Sequence, residues 1–180
     1  MTLDPSLALG CRMLGVLLFA TAAVGKVKHR HELAGVVANY HLLPERLAAP
    51  VAWTIIGLES LTALSLASGV RLAAGAALGI ALLGVFALAI GINLARGRRE
   101  IDCGCFQSGL RQTLSTGLLV RNLLLSAALV PLFAAATALV RPLQWVDGLG
   151  AGFAAYAIYR AFDQLLSLRQ SSMELRKRFV

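Results

Sequence analysis

The sequence predicts an all-α fold, a polytopic transmembrane helical bundle of four to five helices. Three observations carry that prediction. Hydrophobic residues make up 58% of the 180-residue chain and charged residues only 14%, against roughly 45–50% and about 25% in soluble domains. The mean hydropathy is +0.74. The apolar residues gather in runs of about 20, the length that crosses a hydrocarbon core as a helix. The length suits one membrane domain, 1–168, with a basic amphipathic tail, 169–180, expected at the membrane surface.

Asp4-Pro5-Ser6 reads as a helix start, with proline near the first helical position. It opens a first span over 7–24. This segment lacks the basic leader and small-residue cleavage site of a signal peptide, so it is read as retained. The second span, 47–67, follows Pro44 and ends at Ser68-Gly69. The third, 70–94, starts directly after that turn. The fourth, 114–139, stops before Arg141-Pro142. The fifth, 146–166, is less hydrophobic and carries Arg160 and Asp163. Its Gly148 and Gly152 fit a close helix crossing.

The formal net charge is +8, from 17 Lys and Arg against 9 Asp and Glu. In a soluble protein this would suggest nucleic acid, but no aromatic-interleaved basic patch is present, so that class is set aside. The cations lie between spans. Lys26, Lys28, Arg30 and Arg46 fall in the loop 26–46, and Arg96, Arg98, Arg99 and Arg111 in the loop 96–113. Both loops share one membrane face, here termed face B. The opposite loops offer Arg71 and Arg141. The positive-inside rule then assigns face B to the cytoplasm.

A charge inside a span costs about 2.5–3.5 kcal/mol on insertion scales, so each needs a reason. At about 1.5 Å per residue, Arg12 lies about 21 Å from face B and Glu59 about 18 Å. An Arg12–Glu59 pair is therefore expected, as a helix lock or as part of a proton or quinone site. Lys26, Asn93, Arg121 and Asn122 form an expected polar cluster at the face-B ends of three spans. Snorkelling accounts for Lys26 more easily than for Arg121.

Of the three cysteines, Cys103 and Cys105 flank Gly104, and Cys11 stands alone. That count excludes a disulfide-stapled fold and a four-cysteine zinc site. A Cys-x-Cys ring is tight, and Gly104 permits the positive φ it needs. Strained bridges are easily reduced. Three readings stand for Cys103 and Cys105: thiol–disulfide chemistry, soft-metal binding in linear geometry, or a plain tight turn. Cys11 reads as a small apolar residue. His29, His31 and His41 read as interface histidines, and the Tyr40–Pro44 stretch is placed to approach the cysteine loop.

At these residues the sequence resembles the MauE family of methylamine-utilisation proteins, within the DoxX-like group of small membrane proteins. The matching features are Arg12 with Leu14-Gly15, Gly25-Lys26, Tyr40-x-Leu42-Leu43-Pro44 and Glu59. They continue with Asn93-Leu94-x-Arg96-Gly97, Cys103-Gly104-Cys105-Phe106 and Arg121-Asn122. Gln107 stands where the family commonly has glycine, which alters the loop but not the thiols. The resemblance, over roughly 7–140, implies a multi-pass protein of the bacterial inner membrane with a bundle like that of thiol oxidases such as DsbB. Taken with the nearby cations, which favour a thiolate, it fits a thiol–disulfide oxidoreductase in which Cys103 and Cys105 are catalytic and Lys26 and Arg121 lower the thiol pKa. A thioredoxin-like partner would act alongside it on a disulfide-rich client, the small subunit of methylamine dehydrogenase in the named case. The surrounding partner is the lipid bilayer, and a quinone is the cofactor considered. A soft-metal carrier and a non-catalytic scaffold are the alternatives. Disulfide formation belongs outside the cytoplasm, whereas the charges put the loop inside.

Overall fold

The computed structural model describes residues 4–104, 113–134 and 142–178. The helices are α1 (Pro5–Lys28), α2 (Arg30–Asn39), α3 (Ala48–Ser68), α4 (Leu72–Ala95), α5 (Thr116–Leu129) and α6 (Pro142–Arg178). A 3-10 turn, Glu45–Leu47, leads into α3, and another, Val130–Phe133, extends α5. Among the described residues no strand forms, and one isolated bridge joins Asp102 to Thr113. With their 3-10 extensions, α1, α3, α4 and α5 are long and apolar enough to cross a membrane. The protein is a multi-pass membrane bundle.

Local chemistry sets the helix ends. Asp4 caps α1, accepting from the Ser6 amide at 3.0 Å and the Ser6 hydroxyl at 2.7 Å, and Pro5 supplies the preset φ of the first turn. Those bonds hold the Asp4 carboxyl below its ordinary range. Gly69 at φ 73° and Arg71 at φ 56° reverse the chain between α3 and α4. The segment 26–46, expected as a loop, contains α2. Leu33, Ala34 and Val37 face Ala52 and Ile56 of α3, and that contact drives α2 onto the bundle. The cations at its start hid this short apolar face.

The core sits where α1, α3, α4 and α5 meet, around Leu18, Phe19, Leu66, Leu83 and Leu129. Leu64, Leu88, Leu124 and Ile158 are exposed on the outer surface, as residues that face acyl chains should be. With lipid as solvent, close packing rather than water exclusion joins helices. The glycines act accordingly. A Cβ on Gly15 would lie 2.8 Å from Leu66, and one on Gly79 would lie 2.9 Å from Phe19.

The fifth run forms α6, which lies along α1 in the same direction. Gly148 meets Ser6 and Leu9, Gly152 meets Gly10 and Met13, and the Tyr156 hydroxyl donates to Thr21 Oγ1 at 2.9 Å. The expected glycine crossing is present. α6 continues unbroken to Arg178.

The expected Arg12–Glu59 pair does not form. Arg12 donates to the carbonyls of Leu66 and Ala67, both at 2.7 Å, which lack partners within the last turn of α3. Glu59 instead receives Lys26. Counting residues puts Arg12 and Glu59 at similar depth, but Arg12 reaches the carbonyls seven and eight residues beyond Glu59, about 11 Å farther along α3, while Lys26 in the last turn of α1 reaches Glu59.

If α6 is seated on α1 through these glycines, Gly152→Ala should destabilise the detergent-solubilised protein by about 1–3 kcal/mol. Its new Cβ would lie 2.6 Å from Met13 Cβ and 2.8 Å from the Gly10 carbonyl. Gly84→Ala, which meets nothing within 4 Å, should leave the thermal midpoint unchanged. Equal midpoints for both variants would contradict this seating.

Candidate functional site

The cysteine loop leaves the face-B end of α4. Gly97, at φ 75°, turns the chain out of the helix. The two ends of the loop are then pinned together: Leu114 N donates to Ile101 O at 3.1 Å, beside the Asp102–Thr113 bridge. Gly104 N donates to Asp102 Oδ1 at 3.3 Å. Gly104 takes φ 70°, and a Cβ there would lie 2.9 Å from Val36 of α2. Glycine is thus required twice, for the backbone conformation and for the close approach to α2.

Cys103 is half-buried and packs beside Tyr40 against the cluster of Ile90, Leu114 and Leu118. The Tyr40 hydroxyl donates to the Cys103 carbonyl at 3.4 Å, so the stretch after α2 does approach the loop. His41, at φ 47°, turns this stretch, and its carbonyl accepts from Arg96 at 3.3 Å. Cys105 lies outside the described residues.

Beneath Cys103 is a cavity of about 180 Å³. Its polar lining comes from Lys26, Tyr40, Arg121 and Asn122, with Cys103 and Gly104 also in the wall; the other lining side chains are apolar. The sequence-expected residues Lys26, Arg121, Asn122 and Cys103 therefore do surround one space. Asn93, fully buried in α4, lies outside the lining. Its amide donates to Ala89 O at 3.1 Å, and its side-chain oxygen has no hydrogen-bond partner among the described residues. Lys26 does not snorkel. It points inward, 6% exposed.

Each cation meets its own carboxylate. Lys26 Nζ lies 2.7 and 2.9 Å from the two Glu59 oxygens, with the Phe86 ring centre 5.5 Å away. Arg121 donates to Asp163 of α6 at 2.6 Å, and its guanidinium carbon lies 6.0 Å from the Tyr159 ring centre. All four charged side chains are buried. In the sequence Asp163 stands out only as a charge in the fifth run. Its signal was available, because a buried Arg121 needs an anion on a neighbouring helix. The aromatic partners Phe86 and Tyr159 carry no comparable sequence signal.

The arrangement is electrically compensated but rich in hydrogen-bond donors. It places a thiol-bearing loop over an apolar space with cationic and amide groups on one wall. Among the described residues no three His, Cys, Asp or Glu side chains converge to hold a metal.

The family model described as methylamine utilisation protein MauE matches residues 4–139. A methylamine utilization protein MauE from Paracoccus denitrificans is 36% identical over 179 residues, which cover 97% of this chain and 96% of that protein. The like-named protein of Methylorubrum extorquens is 41% identical over 119 residues, 66% of this chain and 64% of its own length. That of Paracoccus versutus is 37% identical over 124 residues, 69% of this chain and 67% of its own. No solved structure matches the chain.

Glu59→Leu should strand the buried Lys26 charge and destabilise the bundle by about 3–5 kcal/mol. The double replacement Lys26→Met with Glu59→Leu should recover most of that loss. Denaturant unfolding in detergent reads both, and a double variant no more stable than Glu59→Leu would contradict the coupling.

Proposed function

This chain belongs to the MauE family, and from that premise we infer that it serves methylamine utilisation as a thiol–disulfide protein of the bacterial inner membrane. Its client is the disulfide-rich small subunit of methylamine dehydrogenase, and a thioredoxin-like protein is its exchange partner. Cys103 and Cys105 cycle between dithiol and disulfide. In each exchange the loop and the partner's Cys pair trade two electrons and two protons, one pair gaining an S–S bond as the other loses it.

The observation that supports this reading best is the position of Cys103. A loop pinned at both ends, turned by Gly104 and backed by Tyr40 holds the sulfur's residue over a cavity walled by Lys26, Arg121 and Asn122. A cysteine placed merely to fill a tight turn needs no such chamber. Because Glu59 and Asp163 compensate the two cations, their pull on a thiolate acts at short range rather than through net positive charge.

Face B carries Lys28, Arg30, Arg46, Arg96, Arg98 and Arg99, a distribution that argues for the cytoplasmic side. On that side the loop relays reducing equivalents instead of oxidising the client directly.

Replacing Cys103 and Cys105 together by serine should leave membrane insertion intact and reduce active methylamine dehydrogenase to the level of cells lacking the protein. Maturation at the wild-type level in the double variant would sink the redox reading and leave a scaffold. A membrane-impermeant maleimide should label Cys103 in inverted vesicles and spare it in intact cells. Labelling of intact cells would place the loop outside.

A further inference from the structure

We propose that the cavity beneath Cys103 is a binding site for a neutral, membrane-soluble ring bearing carbonyl oxygens, a quinone. The proposal deepens the redox reading, since such a ring is a two-electron carrier. It relocates the quinone from Arg12 and Glu59, where the sequence had suggested it, to the chamber under the loop.

Four observations carry it. The first is size. The space is about 180 Å³, and a cavity of about 150 Å³ holds a benzene ring. The second is charge. Lys26 with Glu59 and Arg121 with Asp163 cancel, so a charged ligand would be left without a counter-ion in a low-dielectric site.

The third is the donor set. Asn122 is 3% exposed as a residue and lines the cavity, and its side-chain amide is not fully enclosed by protein atoms, so it is open to that space. A ligand acceptor there would satisfy it. Lys26 carries three protons, and Glu59 accepts from it at two oxygens. Donors facing an otherwise apolar space select for acceptor oxygens on an apolar body.

The fourth is the route of access. α2 and residues Val51 and Ile55 of α3 wall one side of the cavity, and Val85 and Ala89 of α4 wall the other. Val85 is 61% exposed on the outer face of α4, and Leu43, also in the lining, is 43% exposed. The mouth therefore faces acyl chains, and the ligand arrives from the bilayer with any hydrocarbon tail trailing outward.

The test is equilibrium dialysis of the purified full chain in detergent against decylubiquinone and against decylbenzene, a tailed ring without carbonyls. Wild type should bind the quinone saturably and the hydrocarbon at least tenfold more weakly. Asn122→Leu should weaken quinone binding about three- to tenfold, the equivalent of one lost hydrogen bond. Val85→Trp, a change at a largely exposed position beside the mouth, should block it and abolish binding while leaving the thermal midpoint unchanged. Cys105→Ser, which ends the dithiol–disulfide cycle, should bind as wild type does, so failure of the thiol chemistry and failure of this site are separable. Absence of saturable binding, equal affinity for decylbenzene, or wild-type affinity in Val85→Trp would each overturn the proposal.

Discussion

A charge buried in this bundle has to find an opposite charge, and that constraint sets the geometry of everything around the cysteine loop. The isolated ion would lose its hydration with nothing in lipid or in an apolar core to replace it. Lys26 and Glu59 therefore fix how far α1 slides along α3, and Arg121 and Asp163 fix α6 against α5. Arg12 acts at the opposite end by a different route, capping the carbonyls that end α3. Between these ties the helices close on glycines, because small residues are what permit tight contact when the solvent is itself apolar.

The chamber follows from where α2 docks, with Leu33 packed on Ala52 and Ile56 of α3. This docking leaves a space bounded by α2, α3 and α4, and the segment around Gly104 closes over it. Cys103 thus belongs to a lid resting on a polar wall rather than to an outlying loop. The chemistry available there is proton donation and close approach in a region of low dielectric, where each hydrogen bond counts for more than in water.

Much of this was legible in the chain, and the failures have identifiable causes. Run length located α1, α3 and α4 to within a few residues, since a bilayer imposes a minimum span that few other constraints imitate. The grouping of Lys26, Arg121 and Asn122 under the cysteine segment was also readable, because all lie near one end of consecutive spans. Asn93 shared that depth but turned elsewhere, and depth alone carries no information about helix rotation. The Arg12–Glu59 pairing failed because counting residues ignores how far a long side chain reaches: Lys26 extends to Glu59 from the last turn of α1, and Arg12 extends to the carbonyls that end α3. α2 itself escaped notice because its apolar face is only a few residues long and begins among charges. Asp163 was visible as a residue but not as a partner, since nothing in the sequence says which neighbour α6 chooses.

The chemistry of the loop depends most on Cys103 sitting beside α2 above the cavity. The direct measurement is the rate at which a short bismaleimide links Cys103 to a cysteine placed at Val36, in protein whose Cys11 and Cys105 are serine. Val36→Cys should cross-link within the molecule far faster than a control cysteine at Leu143, at the other end of the bundle. Equal rates, or no product from the Val36→Cys protein under conditions in which both thiols react singly, would mean that the loop does not close the chamber.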